Sequence, residues 1–370
     1  MAQLSKAGTG NERGMLSVLL ARFSAYGDVA MTVPVVYSAC RCYPDVRFVL
    51  VTRPSMRAIF VNAPANLTVV GADVKQDYRG AAGMRRLVAE LVEEYDVDAF
   101  LDLHDVLRTR LMGFFFRLRR IPVFRINKGR SSRRALTRRH NKVMLPMVSQ
   151  RARYREVFYK AGLPVSEHFD GLYGGRCKAD PALFSGITAP RAGGERWIGV
   201  APFAAHAGKI YPPEKMEAVI ERLLDDATDS SPVRIFLFGG GENESRVFDS
   251  WVARFGSSFV TSLAAKRCGF AAELALLNHL DAIVTMDSAN MHLAAIAGTP
   301  TVSVWGATHP YCGFKGWRQT DADTVQLPLS CRPCSIFGNK ECFRKDLLCL
   351  TAIRPDMIYK KVTEKIQTSD

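Results

Sequence analysis

Short apolar runs alternate with longer amphipathic stretches along most of the chain. Five runs precede residue 125 and five follow residue 196, and polar or glycine-containing turns bound them. Such runs predict β-strands, and their alternation with helical patterns predicts parallel sheets covered by helices. The predicted strands are 16–21, 48–51, 67–70, 99–103, 121–124, 197–201, 234–238, 259–261, 282–286 and 301–305.

A glycine-, proline- and charge-rich interval, 173–195, separates the two sets of strands and predicts a linker. The chain has 370 residues, of which 48% are hydrophobic, and this size suits two domains with cores of their own. We therefore expect an α/β protein with two doubly wound, Rossmann-like domains, 15–175 and 190–352. A flexible segment, 1–14, precedes them, and a helix within 353–370 follows and is able to cross back to the first domain.

The sequence favours a cytoplasmic protein. No apolar stretch reaches the roughly 18 residues that span a bilayer, and the apolar run 15–23 is too short and too poor in cleavage signals for a signal peptide. Nine cysteines in such a chain indicate a reducing compartment.

Residues 283–310 predict a strand, a polar turn, a short helix and a second strand. Asp287 and Ser288 are able to cap the helix, and Gly298 with Pro300 ends it. A helix that starts directly after a strand directs its free backbone N–H groups toward the ligand crevice of an α/β sheet. The segment therefore predicts an anion site.

The same segment carries a family resemblance. Asp287, Ser288, Ala289 and His292, followed by Gly298, Pro300 and the run 306–310 (GATHP), resemble the signature of glycosyltransferase family 9, the heptosyltransferase-like enzymes. The resemblance implies a GT-B fold, with two Rossmann-like domains facing a cleft, and inverting transfer of a sugar. Most members carry glycine where this chain has Ala289.

The resemblance also implies the donor-binding residues. Lys209, shortly after the first strand of the second domain, is the lysine expected to neutralise the donor's phosphates. Glu242 is expected to accept hydrogen bonds from the ribose. Ala204 and Ala205 stand where some relatives have hydroxyl side chains. The implied donor is a nucleotide sugar, most simply ADP-heptose, used without a required cofactor.

Asp28 is the catalytic base that the resemblance implies. It follows the first strand, and a carboxylate at a strand's carboxyl end faces the ligand crevice. A sugar hydroxyl is a poor nucleophile, so a carboxylate that accepts its proton assists attack on the anomeric carbon. Without the resemblance, capping of the next helix is the simpler role for Asp28.

Positive charge is concentrated in one stretch. The formal net charge is +14, and residues 108–160 alone carry +16, with 17 of the 50 Lys and Arg residues and one of the 36 acids. Such a field attracts polyanions. By analogy with the family, we expect a phosphorylated lipopolysaccharide-core glycolipid as acceptor at the cytoplasmic face of the inner membrane, bound peripherally. The expected acceptor contacts are His104, for which a core or capping role is an equal alternative, and Arg133, Arg134, Arg138 and Arg139.

The phenylalanines within the basic stretch allow two interpretations. Phe114, Phe115 and Phe116 precede three arginines, a pattern that suits contact with an anionic membrane. A buried helix with a solvated basic face explains the phenylalanines better.

Cys331, Cys334, Cys342 and Cys349 form a C-x2-C-x7-C-x6-C cluster, which suits either a structural zinc ion or buried thiols. The Asp321-Ala322-Asp323 sequence resembles metal-binding carboxylates of another glycosyltransferase fold. We interpret it as a solvated loop and expect no required metal.

Two alternatives remain at the level of sequence. The first is a relative that uses another nucleotide sugar, which the substitutions at Ala289, Ala204 and Ala205 allow. The second is a nucleic-acid-binding protein that uses the basic stretch. We expect no nucleic acid, because the chain lacks an RNP motif, a zinc-finger histidine pair and a clear aromatic-basic strip.

Overall fold

The computed structural model describes residues 15–264, 266 and 268–367, so the predicted flexible segment 1–14 lies outside the described residues. The chain divides into two compact units. The first comprises the chain up to residue 129 together with 148–170, and the second comprises 130–147 together with the chain from residue 171. Each unit contains one parallel sheet.

The first unit is built on a five-stranded sheet with the order β3-β2-β1-β4-β5. All of its strand pairs are parallel. The five strands predicted before residue 125 are confirmed, with bounds that shift by two residues at most. They are β1 (Leu16–Ala21), β2 (Val46–Thr52), β3 (Leu67–Gly71), β4 (Ala99–Asp102) and β5 (Val123–Arg125).

Helices pack against this sheet, and the longest one buries a single apolar stripe. In the longest helix, residues 84, 87, 88 and 91 recur at helical spacing and lie in the core with β1 and β2. The helices before residue 161 are α1 (Tyr26–Ala30), α2 (Val33–Cys42), α3 (Gly80–Tyr95), α4 (Leu107–Leu118), α5 (Arg130–Leu136) and α6 (Gln150–Lys160), and all except α5 belong to the first unit.

The second unit contains a six-stranded parallel sheet with the order β11-β10-β9-β6-β7-β8. Five of its strands were predicted. The sixth, β11, has two residues and therefore no detectable periodicity. The strands are β6 (Arg196–Ala201), β7 (Val233–Leu237), β8 (Val260–Ser262), β9 (Ala282–Met286), β10 (Thr301–Val304) and β11 (Thr324–Val325).

The carboxyl-terminal helix belongs to the second unit rather than crossing back to the first. Ile358, Val362 and Ile366 recur every four residues and are buried in the core formed by the second sheet. The helices of this region are α7 (Pro213–Asp225), α8 (Glu242–Phe255), α9 (Gly269–His279), α10 (Ala289–Ala297), α11 (Leu348–Thr351) and α12 (Pro355–Gln367).

The predicted linker, 173–195, is packed structure of the second unit. It contains a 3-10 turn, Pro181–Phe184, whose Phe184 ring meets Trp197 edge-on with the centroids 6.0 Å apart. The backbone N–H of Ala179 donates to Asn278 Oδ1 at 2.7 Å. The segment is therefore part of the second unit, and the boundary between the units falls at residues 170 and 171.

Residues 130–147, which we call the basic arm, also group with the second unit, although the sequence places them within the first domain. The Lys142 ammonium donates to the carbonyl oxygens of Cys331 and Pro333, and the Met147 N–H donates to Tyr311 O at 2.9 Å. These contacts join residues far apart in sequence, so no local sequence pattern predicts them.

Asp323 corrects the interpretation of the 321–323 sequence as a solvated loop. Its side chain is buried, its Oδ2 accepts the Thr320 N–H at 2.7 Å, and its Oδ1 contacts the Lys365 ammonium. Burial alone would raise the pKa of Asp323, but the hydrogen bonds from Lys365 and Thr320 hold it below its ordinary value. Asp321, in contrast, is exposed beside Lys315.

Replacing Asp323 with alanine is expected to lower the free energy of unfolding by about 1–3 kcal/mol, because buried hydrogen-bonding groups lose their acceptor. Because the folded-state pKa of Asp323 is depressed, its stabilisation is fully present above the pKa of the unfolded carboxyl and is lost as the pH falls through the lower folded-state pKa. Asp321→Ala, the matched control, is expected to cost less than about 1 kcal/mol. Urea unfolding measures both, and equal effects would contradict the structural role of Asp323.

Candidate active site

The first candidate site lies at the switch point of the five-stranded sheet. β1 pairs with β2 on one side and with β4 on the other, and Ala21 lies opposite Asp102. The loops that follow β1 and β4 therefore leave the sheet side by side, as in ligand sites of doubly wound folds. This arrangement brings together Asp28 and His104, two of the residues predicted from the sequence.

Asp28 is held by a buried arginine. Its Oδ2 lies 2.7 Å from Arg22 Nη2, and the same oxygen accepts the Ala25 N–H at 3.3 Å. Arg22 also donates to Leu103 O at 2.8 Å and is therefore anchored to the loop that follows β4. The Asp28 side chain remains 25% exposed. Asp28 thus closes the first turn of α1 and keeps an accessible carboxylate, so the capping and catalytic roles are compatible.

His104 lies beside the loop that carries Asp28. The Phe23 N–H donates to His104 Nδ1 at 3.4 Å, and Nε2 lies 3.3 Å from Ser24 Oγ. Burial and then the positive charge of Arg22 lower the pKa of His104 to about 2. The imidazole is therefore neutral at physiological pH and acts as a hydrogen-bonding group rather than as a cation.

The other charges at this edge form an ion-pair network. Arg125 Nε lies 3.0 Å from Asp102 Oδ2 and 3.6 Å from Asp105 Oδ1, and Arg110 Nε lies 2.8 Å from Asp105. Lys128 donates to the carbonyl oxygen of Asp105 at 2.8 Å. Part of the predicted basic stretch is therefore neutralised within the first unit instead of forming one continuous cationic surface.

The second candidate site lies at the switch point of the six-stranded sheet, where β6 pairs with both β7 and β9. Ala201 lies opposite Thr285, so the loops after β6 and β9 are adjacent. Lys209 Nζ donates to the carbonyl oxygen of Asp287 at 2.9 Å and lies 3.0 Å from its Oδ2. The structure thus places the predicted lysine on the turn that begins α10.

Two glycines allow the backbone to close around Lys209. A Cβ on Gly208 would lie 2.7 Å from Gly338 O and 2.9 Å from Ala307 Cβ. Gly338 has φ +75°, and a Cβ there would lie 2.6 Å from Lys209 Cγ. The segment 306–310 of the sequence signature and the segment around residue 338 therefore form the wall behind the lysine.

The amino terminus of α10 provides the hydrogen-bond donors of the predicted anion site. Ser288 is the N-cap residue, and its hydroxyl is buried without a hydrogen-bond partner among the described residues. Ala289 begins the helix and His292 is buried within its first turns. The free first-turn N–H groups, the Ser288 hydroxyl and the Lys209 ammonium together suit a diphosphate.

The glycine-rich turn after β7 places Glu242 at the start of α8, where it is exposed. Glu244, which the sequence did not suggest, is the carboxylate that shapes this turn, because its Oε2 accepts the Gly240 N–H at 2.8 Å. Ala204 packs partly on the core of the unit, whereas Ala205 is exposed. Glu242 and Ala205 therefore remain accessible to a ligand.

The four predicted arginines of the basic arm lie in different environments. The Arg133 guanidinium lies 5.9 Å and 5.4 Å from the ring centroids of Phe314 and Phe337, and that of Arg139 lies 4.9 Å from Phe343. Arg134 and Arg138 are exposed. All four belong to the unit that contains Lys209, not to the unit that contains His104, so the acceptor residues predicted as one set are divided.

The structure does not support the zinc alternative for the cysteine cluster. Among the residues that the structure describes, no three His, Cys, Asp or Glu side chains are arranged to hold a metal ion, and Cys331, Cys334, Cys342 and Cys349 are free thiols. Cys349 belongs to α11 and packs into the core of the second unit. Burial raises its pKa to about 11, so it stays protonated. The alternative of buried or half-buried thiols fits this geometry.

Arg332, which the sequence did not suggest, holds the signature segment 306–310 in place. This buried arginine donates to the carbonyl oxygens of Gly306, Trp305 and Thr308. It thereby fixes the loop whose Ala307 N–H donates to Gly208 O at 2.8 Å. The only signal in the sequence was its position before Pro333 in the cysteine cluster.

Comparisons with known proteins agree with this geometry. The family model described as glycosyltransferase family 9 (heptosyltransferase) matches residues 84–341. Lipopolysaccharide heptosyltransferase 1 of Pseudomonas aeruginosa is 25% identical over an alignment that covers 93% of this chain and 96% of that protein.

Solved structures show the same fold. A family 9 glycosyltransferase of Veillonella parvula has a TM-score of 0.69 at 16% identity and covers 97% of this chain and 100% of its own. E. coli ADP-heptose lipopolysaccharide heptosyltransferase II has a TM-score of 0.65 at 16% identity, with 95% and 99% covered. E. coli heptosyltransferase WaaC with ADP has a TM-score of 0.60 at 19% identity, with 96% and 100% covered.

Two Rossmann-like units with polar groups at their switch points, together with these likenesses, define a glycosyltransferase with the GT-B fold. The chain belongs to glycosyltransferase family 9, the heptosyltransferase family. Within the described part of the chain, every helix is too short or too polar to cross a bilayer.

Proposed function

We propose that the protein transfers a heptose from ADP-heptose to a hydroxyl group of a lipopolysaccharide-core acceptor, with inversion at the anomeric carbon. Three observations support the proposal. The chain belongs to the heptosyltransferase family, its full-length relative acts on lipopolysaccharide, and the neighbour WaaC was solved with ADP. The observation that carries it is the Lys209 ammonium at the amino terminus of α10, beside Asp287 and Ser288.

In this proposal the donor's diphosphate binds at the start of α10. The Ser288 hydroxyl and the first-turn N–H groups donate to phosphate oxygens, while Lys209 neutralises part of their charge. Glu242 accepts hydrogen bonds from the ribose hydroxyls, which its exposed position at the start of α8 allows. Asp287, Ala289, His292, Ala204 and Ala205 form the rest of the donor surface.

Transfer then occurs in one displacement. The acceptor hydroxyl attacks the anomeric carbon as its proton passes to the Asp28 carboxylate, and the bond from that carbon to the β-phosphate oxygen breaks. ADP leaves with the electron pair of the broken bond. Lys209 and the helix N–H groups stabilise its growing negative charge, so we propose that no metal ion is required.

The proposed acceptor is anionic, and each unit offers candidate contacts of its own. In the first unit these are the loop of Asp28 and His104, and in the second unit they are the exposed arginines Arg134 and Arg138 of the basic arm. Neutral His104 offers a hydrogen bond to a sugar hydroxyl, and the arginines offer charge to phosphate groups. Arg133 and Arg139 contribute through packing on aromatic rings. We place the enzyme in the cytoplasm, at the inner-membrane surface where such an acceptor is anchored.

Replacing Arg134 and Arg138 together with glutamine is expected to raise the acceptor KM roughly tenfold, because two charge-assisted contacts and their long-range attraction are lost. The effect should shrink at high salt. Arg354→Gln/Lys360→Gln removes the same charge from exposed positions near and on α12 and is expected to leave the acceptor KM unchanged. Steady-state kinetics at two salt concentrations measure both. An equal change in the two double variants would contradict a specific acceptor role for the arm.

The main alternative is a family member with another nucleotide sugar as donor. Ala289 at the start of α10 favours it, because its methyl group stands where relatives have glycine. A nucleic-acid-binding role has less support, since the basic stretch is divided between two units and partly neutralised.

Calorimetric titration with ADP, GDP, UDP and CMP tests the choice of donor. ADP is expected to bind at least about tenfold more tightly than the other nucleotides. Preferential binding of UDP, GDP or CMP would replace ADP-heptose in the proposal. Tight binding of RNA without binding of any nucleotide would favour the nucleic-acid alternative.

A further inference from the structure

Helix α4 of the first unit carries apolar residues on two opposite faces. The inner face buries Met112, Gly113 and Phe116, and the Phe116 ring stacks on Phe100 of β4 with the centroids 4.7 Å apart. Burial of this inner face is sufficient to pack the helix against the sheet. The apolar residues on the other side therefore need a separate explanation.

The outer apolar face, which we call the α4 stripe, consists of Leu107, Leu111, Phe114 and Leu118. Their spacing of four, three and four residues aligns them along one side of the helix. Leu107 is 75% exposed, Phe114 is 52% exposed and Leu118 is 65% exposed, while Leu111 is half-buried. Single exposed apolar residues are common, but an aligned row of them on one helix marks an interaction surface.

Arginines border the α4 stripe on both sides. At 100° per residue, Arg108 and Arg119 lie on one flank, and Arg110 and Arg117 lie on the other. All four are exposed. Arg110 pairs with Asp105, and residues 107–120 contain no acidic side chain. The helix thus presents an apolar ridge between two rows of positive charge.

We infer that the α4 stripe docks the protein on an anionic lipid surface. Leucine and phenylalanine side chains at an exposed helix face insert into the boundary between headgroups and acyl chains, while flanking arginines contact lipid phosphates. The structure supports the expectation of a buried helix for Phe116 and corrects it for Phe114, because Phe116 is buried, Phe115 is half-buried and Phe114 is exposed.

The charge of the flanking arginines favours a lipid surface, rather than a second copy of the chain, as the partner of the α4 stripe. Two copies meeting stripe to stripe would bring two sets of flanking arginines together, of which Arg110 is paired with Asp105, and like charges at an interface oppose association. A bilayer with anionic headgroups instead offers apolar acyl chains to the α4 stripe and negative charge to the flanking arginines.

The inference deepens the proposed membrane location, but its test requires no catalysis. Co-sedimentation with vesicles of phosphatidylcholine and phosphatidylglycerol is expected to bind the full-length protein at low salt, with much weaker binding to pure phosphatidylcholine. Phe114→Ser/Leu118→Ser is expected to reduce this binding about tenfold or more, because the buried apolar area is lost. A failed transfer assay would leave this result intact, so the two proposals fail separately.

Further variants test whether the α4 stripe is the surface that binds the vesicles. Phe259→Ser/Leu183→Ser removes one phenylalanine and one leucine of similar exposure, 49% and 50%, from the second unit and is expected to bind vesicles like the wild type. Arg117→Gln/Arg119→Gln is expected to weaken binding at low salt and to flatten its salt dependence. Circular dichroism checks that all variants are folded.

Three results would overturn the inference. The wild type could fail to bind anionic vesicles at low salt, or the stripe variant could bind them as well as the wild type does. The third result would be a concentration-dependent dimer in sedimentation velocity that Phe114→Ser/Leu118→Ser abolishes. Such a dimer would assign the stripe to self-association.

Discussion

Asp28→Asn is expected to lower the turnover number about a hundredfold or more, because an asparagine amide cannot accept the acceptor's proton in the transition state. ADP affinity should stay unchanged, since the proposed donor site is built from the other sheet. Arg22, which is buried and paired with Asp28, keeps its hydrogen bond to Leu103 O, so we expect some loss of stability but a folded protein. Steady-state kinetics and calorimetric titration with ADP measure the two effects.

Asp105→Asn is the matched control for charge at the same sheet edge. Asp105 is also a carboxylate beside arginines and follows β4, but its side chain is 8% exposed, compared with 25% for Asp28, and its Oδ1 is paired with Arg110 and Arg125. We expect its turnover to stay within about tenfold of the wild type, and Asp28→Glu to retain more activity than Asp28→Asn. Near-normal turnover of Asp28→Asn would remove Asp28 from the mechanism.

Lys209→Ala is expected to raise the Kd for ADP about a hundredfold and to lower turnover as well. Two effects combine in this variant. The phosphates lose a charge-assisted contact, and the buried Asp287 carboxylate loses its ammonium partner and repels them. Calorimetric titration with ADP provides the measurement, with Lys360→Ala on α12 as a control that removes an exposed lysine.

A second variant separates these two effects. In Lys209→Ala/Asp287→Asn the repulsive charge is also removed, so ADP should bind roughly tenfold more tightly than to Lys209→Ala. Wild-type ADP affinity in Lys209→Ala would mean that the diphosphate binds elsewhere.

The strands were predictable because their signal is local. A parallel strand buried on both faces appears as a short apolar run, and β1 and β9 begin and end where the sequence placed them. The edge strand β11 was missed, since two residues carry no pattern. The basic arm was assigned to the wrong unit because its position depends on Lys142 meeting the carbonyl oxygens of residues 331 and 333.

The positions of the candidate site residues were predictable where these residues follow strand ends. Asp28 follows a strand at the switch point of the first sheet, and Lys209 and Asp287 follow strands at the switch point of the second sheet, so the topology of each sheet places them at its ligand crevice. The residues that hold the surrounding loops in place were not predictable. Arg22, Glu244 and Arg332 form hydrogen bonds with backbone atoms, and such contacts produce no recognisable residue spacing in the sequence. Asp323 was misjudged for the same reason, because its partner Lys365 lies 42 residues away.

Mass spectrometry of a transfer reaction tests the proposed activity most directly. The wild-type protein would be incubated with ADP-heptose and a heptose-free lipopolysaccharide-core acceptor in the presence of a metal chelator. We predict an acceptor that gains one heptose with release of ADP, and formation of this product about a hundredfold or more slower with Asp28→Asn. An unchanged acceptor with ADP-heptose, together with sugar transfer from a UDP, GDP or CMP donor, would contradict the proposal.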